Sequence, residues 1–197
     1  MTLGRPRSEQ SHAAVLRATS ELLHEIGLRA MTTEQIAARS GSSKATIYKW
    51  WPNKYAVAVD AFFSEMQADS PDPDTGSAHE DFRSWLRGLF HFYAGPSGWV
   101  FAQLVGEAQF DPEVAGVLRD GLIRTRRAVL ETVWDRGVTR GELRADVDRD
   151  VGIDLIIGPA LYRLLTSRGA LDDTAADAIV DAAMSGMSRN DGPMSRR

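Results

Sequence analysis

The stretch Thr33-Glu34-Gln35-Ile36-Ala37-Ala38-Arg39-Ser40-Gly41-Ser42-Ser43-Lys44-Ala45-Thr46-Ile47-Tyr48-Lys49-Trp50-Trp51-Pro52-Asn53-Lys54 reads as two short helices joined by a glycine turn, with a third helix starting at its end. Thr32 and Gln35 have the spacing of a capping box, in which the hydroxyl accepts from a first-turn amide and the glutamine reaches back. The first helix ends at Ser40-Gly41, and Ser43 caps a second that runs from Lys44 to about Trp51. Pro52 breaks that helix, and Asn53 caps a longer one carrying Val57, Ala61, Phe62 and Met66. Ala37 is small where the short helices would cross, Gly41 sits where the turn needs a positive φ, and Ile47 points back into a small core. That is helix-turn-helix geometry. Ordinary packed helices can share this spacing, so the outward residues must decide.

On the second helix the outward residues are Lys44, Ala45, Thr46, Tyr48 and Lys49, and none is acidic. A recognition helix reads base edges from its first turn, while hydroxyls, lysines and the helix N-terminus grip phosphates. Lys54 lies in the first turn of its helix, where the macrodipole disfavours a cation unless an anion such as a DNA phosphate is close. Two helices this short cannot bury themselves. A helix over 10–26, with Leu16, Leu23 and Ile26 in stripe and Gly27 as its stop, and the helix after Asn53 complete the bundle.

Ahead of that bundle, residues 1–9 contain Gly4-Arg5-Pro6-Arg7, a flexible basic arm whose arginines could enter a narrow minor groove. Residues 1–55 hold eight Lys or Arg against four acids, and the remainder holds 15 against 23. A basic head on an acidic body suits a duplex-DNA partner, because phosphate neutralisation supplies much of the affinity. The whole chain of 197 residues is 43% hydrophobic and 25% charged, a globular balance. It has no cysteine, which excludes disulfides and thiolate metal sites and fits a reducing cytoplasm. No secretory signal or membrane span is expected, and the protein is read as cytoplasmic.

Residues 10–63, and the quoted run above all, resemble the N-terminal domain of the tetracycline-repressor (TetR) family. The Gly, Thr-apolar-Tyr, aromatic and Asn-Lys succession carries the resemblance. It implies that Lys44, Ala45 and Tyr48 meet bases, and that Thr33, Ser43, Thr46, Trp50 and Lys54 hold phosphates, with Tyr48 able to do both. Two positions depart from the family pattern. Ser42 replaces an apolar residue, and Trp51 replaces a phenylalanine in the same buried role.

The fold expected is all-α: a helix-turn-helix domain over 10–69, a connector rich in proline and aspartate, and an effector-binding and dimerisation domain over 77–188. A disordered tail over 189–197 follows. Helical period runs through 80–94, 99–109, 112–140, 148–165 and 173–187, with a kink expected at Gly158-Pro159. The resemblance implies a four-helix dimer interface from the last two helices. Val151, Leu155, Ile156, Leu161, Leu164 and Leu165 exceed one buried face, and Ala176, Ile179, Val180, Ala183, Met184 and Met187 add a second stripe.

Cavities between bundle helices hold ligands, and Trp85, Leu89, Phe92, Tyr93, Trp99, Phe101, Leu104 and Trp134 are the candidate walls for a largely apolar effector. Gln103 and Glu107, one turn apart, could offer it one polar spot, with Glu107 favouring a cation, or could equally face solvent. His12, His24, His79 and His91 have no metal spacing, and no catalytic motif, metal or cofactor is expected. The chain is thus read as a ligand-responsive repressor that binds a pseudo-palindromic operator as a homodimer. The competing reading is an all-helical enzyme or ligand carrier whose first domain is only structural.

Overall fold

A computed structural model describes residues 5–68 and 73–188, with side chains for 9–66 and 73–188. Its helices are α1 Arg5–Ala30, α2 Thr33–Ser40, α3 Lys44–Trp50, α4 Lys54–Ala68, α5 Ala78–Ala94, α6 Pro96–Ala108, α7 Pro112–Leu118, α8 Arg124–Thr139, α9 Arg149–Thr166 and α10 Asp173–Met187. The four starts most legible in sequence form as expected. The Thr32–Gln35 capping box closes in both directions, at 3.2 and 2.8 Å. Ser43 Oγ accepts from Thr46 N at 3.1 Å, Asn53 Oδ1 from Ala56 N at 2.8 Å, and Asp111 Oδ1 from Glu113 N at 2.9 Å. Each satisfies an amide that the first helical turn leaves without a partner.

Three elements differ from expectation. Helix α1 starts at Arg5, so residues 5–9 are helical where a flexible arm was expected; proline is tolerated in a first turn, where Pro6 sits. Residues 1–4 and the side chains of Arg5 and Arg7 lie outside the described residues. Gly27 (φ 79°, ψ 168°) breaks α1 without ending it, and the chain resumes helix as far as Ala30. The helix expected over 112–140 is divided by a π-helical segment, Arg119–Ile123, between α7 and α8.

The chain divides into two compact units. The first joins Met1–Asp69 to Gly95–Thr125, and within it α6 packs on α1 and α4, and α7 on α4 and α6. Phe101 of α6 stacks on Phe62 of α4 at 5.6 Å, and Leu104 is fully buried. Leu28 N, freed by the break at Gly27, donates to Gln103 Oε1 at 2.9 Å. Leu22, Leu23, Met31, Ile36, Ile47, Trp51 and Val57 supply much of this unit's core.

A polar hub fastens α1, α4 and α6. The Glu65 carboxylate accepts from Ser20 Oγ at 2.9 Å and from Ser97 Oγ at 2.7 Å, and faces His24 Nε2 at 3.1 Å. Burial pushes its pKa up, but the hydrogen bonds from Ser97, His24 and Ser20 outweigh this and hold it below the ordinary 4.5. A depressed carboxylate stabilises the fold above its unfolded value, and that contribution is lost as pH falls through the folded value. Wild type should therefore lose stability below about pH 4.5, and Glu65→Gln should flatten that limb in urea titrations. An unchanged acid limb in Glu65→Gln would contradict the hub's role.

The second unit, Ser70–Ala94 with Arg126–Arg197, contains α5, α8, α9 and α10. Phe82, Trp85, Leu86, Phe90, Leu130, Val133 and Trp134 are buried there. So are Ile153 and Ile156 of α9 and Ala176, Val180, Ala183, Met184 and Met187 of α10. This corrects part of the expected dimer set: Ile156, Ala176, Val180, Ala183, Met184 and Met187 fill their own unit's core. The outward apolar residues of α9 are Val151, Leu155, Tyr162 and Leu165, at 56, 51, 56 and 47% exposure. Leu161, Leu164 and Ile179 are half-buried. Pro159 lies within α9, which continues past it to Thr166. No helix among the described residues is long and apolar enough to cross a membrane.

Candidate nucleic-acid interface

Helix α3 is two turns long and anchored by one side chain. Ile47 is fully buried, while Lys44, Ala45, Tyr48, Lys49 and Trp50 are exposed. Gly41 has φ 68°, the left-handed turn anticipated between α2 and α3. Ser42, the polar departure in that turn, is accommodated: its hydroxyl pairs with Ser11 Oγ of α1 at 3.2 Å, and its amide donates to Ser40 Oγ at 3.3 Å. Trp51 is buried and donates its indole N–H to Asp60 Oδ2 at 2.8 Å. The His12 ring lies 4.7 Å from Trp51 and 5.2 Å edge-on to Trp50, which braces the end of α3 against α1.

Three features of this surface were not visible in the sequence. Lys44 Nζ bonds Glu34 Oε1 of α2 at 2.8 Å; the hydrogen bond raises the lysine pKa and lowers the glutamate's. That bond uses one of the three ammonium protons, so the Glu34 carboxylate stands beside any base or phosphate that Lys44 reaches. Thr33 is buried, which leaves little of its side chain for a phosphate. Ser43 Oγ and Thr46 Oγ1 lie 2.8 Å apart at the N-terminus of α3.

Lys54, expected to hold a phosphate, has partners within the chain. Its ammonium donates to the carbonyls of Leu28, Arg29 and Met31 at 3.0, 3.2 and 3.1 Å. Those carbonyls close α1, where unpaired acceptors and the negative dipole end attract a cation. All three of its protons are engaged. Lys54 thus sets the junction between α1 and the helix-turn-helix, and burial lowers its pKa.

The residues expected to line an effector cavity fall into two groups. Trp85, Leu89, Phe92, Tyr93 and Trp134 belong to the second unit, whereas Trp99, Phe101, Gln103, Leu104 and Glu107 belong to the first. Gln103 is spent on Leu28 N, and Glu107 on an ion pair with the Arg29 guanidinium. These pairings replace the polar spot expected of them. Trp99 is more than half exposed, and Phe101 packs on Phe62. An open cleft of about 490 Å³ in the first unit runs past Trp50, Val59 and Val117, away from all ten candidates.

Arg126, not singled out in the sequence, places its guanidinium 5.1 Å from the centroid of the Trp85 ring. Its signal was present: Arg126 falls four residues after Leu122 and four before Leu130, both buried.

Residues 15–61 match the family described as bacterial regulatory proteins, tetR family, and residues 72–183 match the tetracyclin repressor-like C-terminal domain. The chain belongs to the TetR family. The Bacillus subtilis HTH-type transcriptional regulator YdeS is 40% identical over 93% of both chains. The DNA-binding transcriptional repressor TetR of Mycobacteroides abscessus is 28% identical, over 89% of this chain and 92% of its own. The crystal structure of the TetR family transcription regulator SCO0332 superposes with a TM-score of 0.80 at 35% identity, covering 90% of this chain and 98% of that one. This TetR-family chain is a DNA-binding transcriptional regulator with a helix-turn-helix head. These relatives are named as transcriptional regulators. Family members bind operator DNA and typically act as dimers.

Proposed function

We propose that this regulator represses transcription by occupying a pseudo-palindromic operator as a homodimer, and that a small effector releases it. The observation that carries the DNA assignment is the outward face of α3, where Lys44, Ala45, Tyr48 and Lys49 surround the single buried anchor Ile47. Lys44, Ala45 and Tyr48 meet bases. Ser43, Thr46, Lys49 and Trp50 hold phosphates, and Arg5 and Arg7 add minor-groove charge. Lys54 positions the head from behind. The dimer forms through the outward stripe of Val151, Leu155, Tyr162 and Leu165 on α9, beside half-buried Ile179 of α10. Effector binding shifts the population toward a spacing of recognition helices that no longer fits successive major grooves.

Lys44 and Lys54 separate these roles. Lys44→Ala should lose more affinity on the operator than on random duplex, by about 1–3 kcal/mol for a base contact. Lys54→Met should lower the thermal stability of the protein and leave the slope of affinity against salt unchanged, because no phosphate contact is removed. A salt slope reduced by about 1 in Lys54→Met would mean that this ammonium leaves its carbonyls for DNA.

A further inference from the structure

Between Thr33 and Lys54 the sequence holds a single acid, Glu34. It lies in the first turn of α2, and its Oε1 accepts at 2.8 Å from Nζ of Lys44, the first residue of α3. Both side chains are more than half exposed. The hydrogen bond keeps the glutamate ionised and the lysine protonated. Other acids of the head are turned elsewhere: Glu25 pairs with Arg39, Glu65 sits in the hub, and Asp60 takes the Trp51 indole proton.

An exposed ion pair adds little stability. The dipole of α2 favours an acid in its first turn, but that role needs no partner on α3. Beside a duplex, moreover, a carboxylate is repelled by phosphate charge and weakens binding to every sequence alike. Such a group can still widen the gap between the right partner and the wrong ones, which is how specificity is gained at the expense of affinity.

Donors and acceptors identify the target. Lys44 has three ammonium protons and directs one at Glu34. The two that remain match the two acceptors of a guanine edge, O6 and N7. The carboxylate only accepts, and the cytosine N4 amino group is the donor next to guanine O6. In that base pair O6 and N4 are joined by a hydrogen bond of about 2.9 Å. Lys44 Nζ and Glu34 Oε1 stand at nearly the same separation, 2.8 Å. Reversing the base pair sets donor against donor and acceptor against acceptor. An A·T pair gives the ammonium only thymine O4, with a methyl group beside it.

We propose that Glu34 and Lys44 act as one composite reader of a single G·C pair in each half-site, Lys44 on guanine O6 and N7 and Glu34 on cytosine N4. This inference deepens the base-reading role given to Lys44 above and rests on it.

The test is selection of bound duplexes from a random library by full-length wild type, Glu34→Ala, Glu34→Gln and Lys44→Ala. Affinities for the selected site, its single-base-pair variants and random duplex are then measured across a salt series. Wild type should fix one position of each half-site as G·C. Glu34→Ala should lower the preference for that pair about tenfold, within the range of one bidentate contact. It should also bind random duplex more tightly, with a logarithmic salt slope steeper by about 0.9, the value for one further phosphate once Lys44 is released. Glu34→Gln, neutral and of the same size, should show the steeper slope even if the alanine variant fails to fold. No G·C position fixed by wild type overturns the proposal, as does a Glu34→Ala that weakens selected and random DNA equally. If Lys44→Ala keeps every base preference, the base-reading role of Lys44 falls and the composite reader with it. If the position relaxes in Lys44→Ala but not in Glu34→Ala, that role stands and only the composite reader is overturned.

Discussion

Asp81→Ala is expected to cost about 3 kcal/mol of stability, the lower end for removing one partner of a buried ion pair. Asp81 is fully buried at the N-terminal turn of α5. Its Oδ1 accepts from Thr75 N at 2.8 Å and from Thr75 Oγ1 at 2.7 Å, which fixes the chain as it enters α5. Its Oδ2 lies 3.9 Å from Arg136 and 3.8 Å from Arg140 of the α8 end. Removing the carboxylate strands the Thr75 amide and leaves two guanidinium groups with less compensation. Asp81→Asn keeps an acceptor for Thr75 and should cost less than the alanine variant. Urea unfolding of both proteins checks the order, and a loss under about 1 kcal/mol for alanine would show that the site relaxes around the gap.

Gly152→Ala should destabilise by about 2 kcal/mol, against the usual direction for a helix interior. Glycine to alanine ordinarily favours a helix by about 1 kcal/mol. Here an added Cβ would stand 2.2 and 2.3 Å from the Trp134 ring and 3.2 Å from Met187 Sδ. Overpacking of this kind costs about 1–3 kcal/mol or more, because a rigid indole in a filled core cannot step aside. The contacting atoms belong to the six-membered part of the indole, so Trp134→Phe should open the space. In that background Gly152→Ala should cost far less, and the double-mutant cycle should show a coupling of about 2 kcal/mol. Additive effects would mean that the clash is relieved by backbone movement and not by the ring. The same contact places the Trp134 ring edge against α9 in its unit's core.

What was legible in the sequence was local. A capping side chain lies within three residues of the amide it serves, so Thr32, Ser43, Asn53 and Asp111 announced their helices. Gly41 announced its turn for the same reason. The partners of Lys54 are 23 to 26 residues away, and nothing in its neighbourhood says that α1 ends beside α4. A charge at a helix start therefore suggested phosphate. Gln103 and Glu107 were likewise read from their own helix, although their partners, Leu28 and Arg29, lie just past the break in α1. Apolar period identified α9 but could not sort its two faces. Leu155 is half exposed while its neighbour Ile156 is fully buried, a distinction set by α5 and α10 packing against α9.

Protection of a selected operator by the full-length protein tests the central claim most directly. Genomic fragments retained by wild type would be footprinted with wild type, Tyr48→Ala and Leu155→Glu. The account predicts two protected half-sites related by two-fold symmetry, about 34–36 Å or a multiple apart. Tyr48→Ala should lose protection while still scattering light as a dimer of the 21.7 kDa chain, and Leu155→Glu should lose protection as a monomer. Full protection by Tyr48→Ala, or a footprint with no two-fold symmetry, would contradict it.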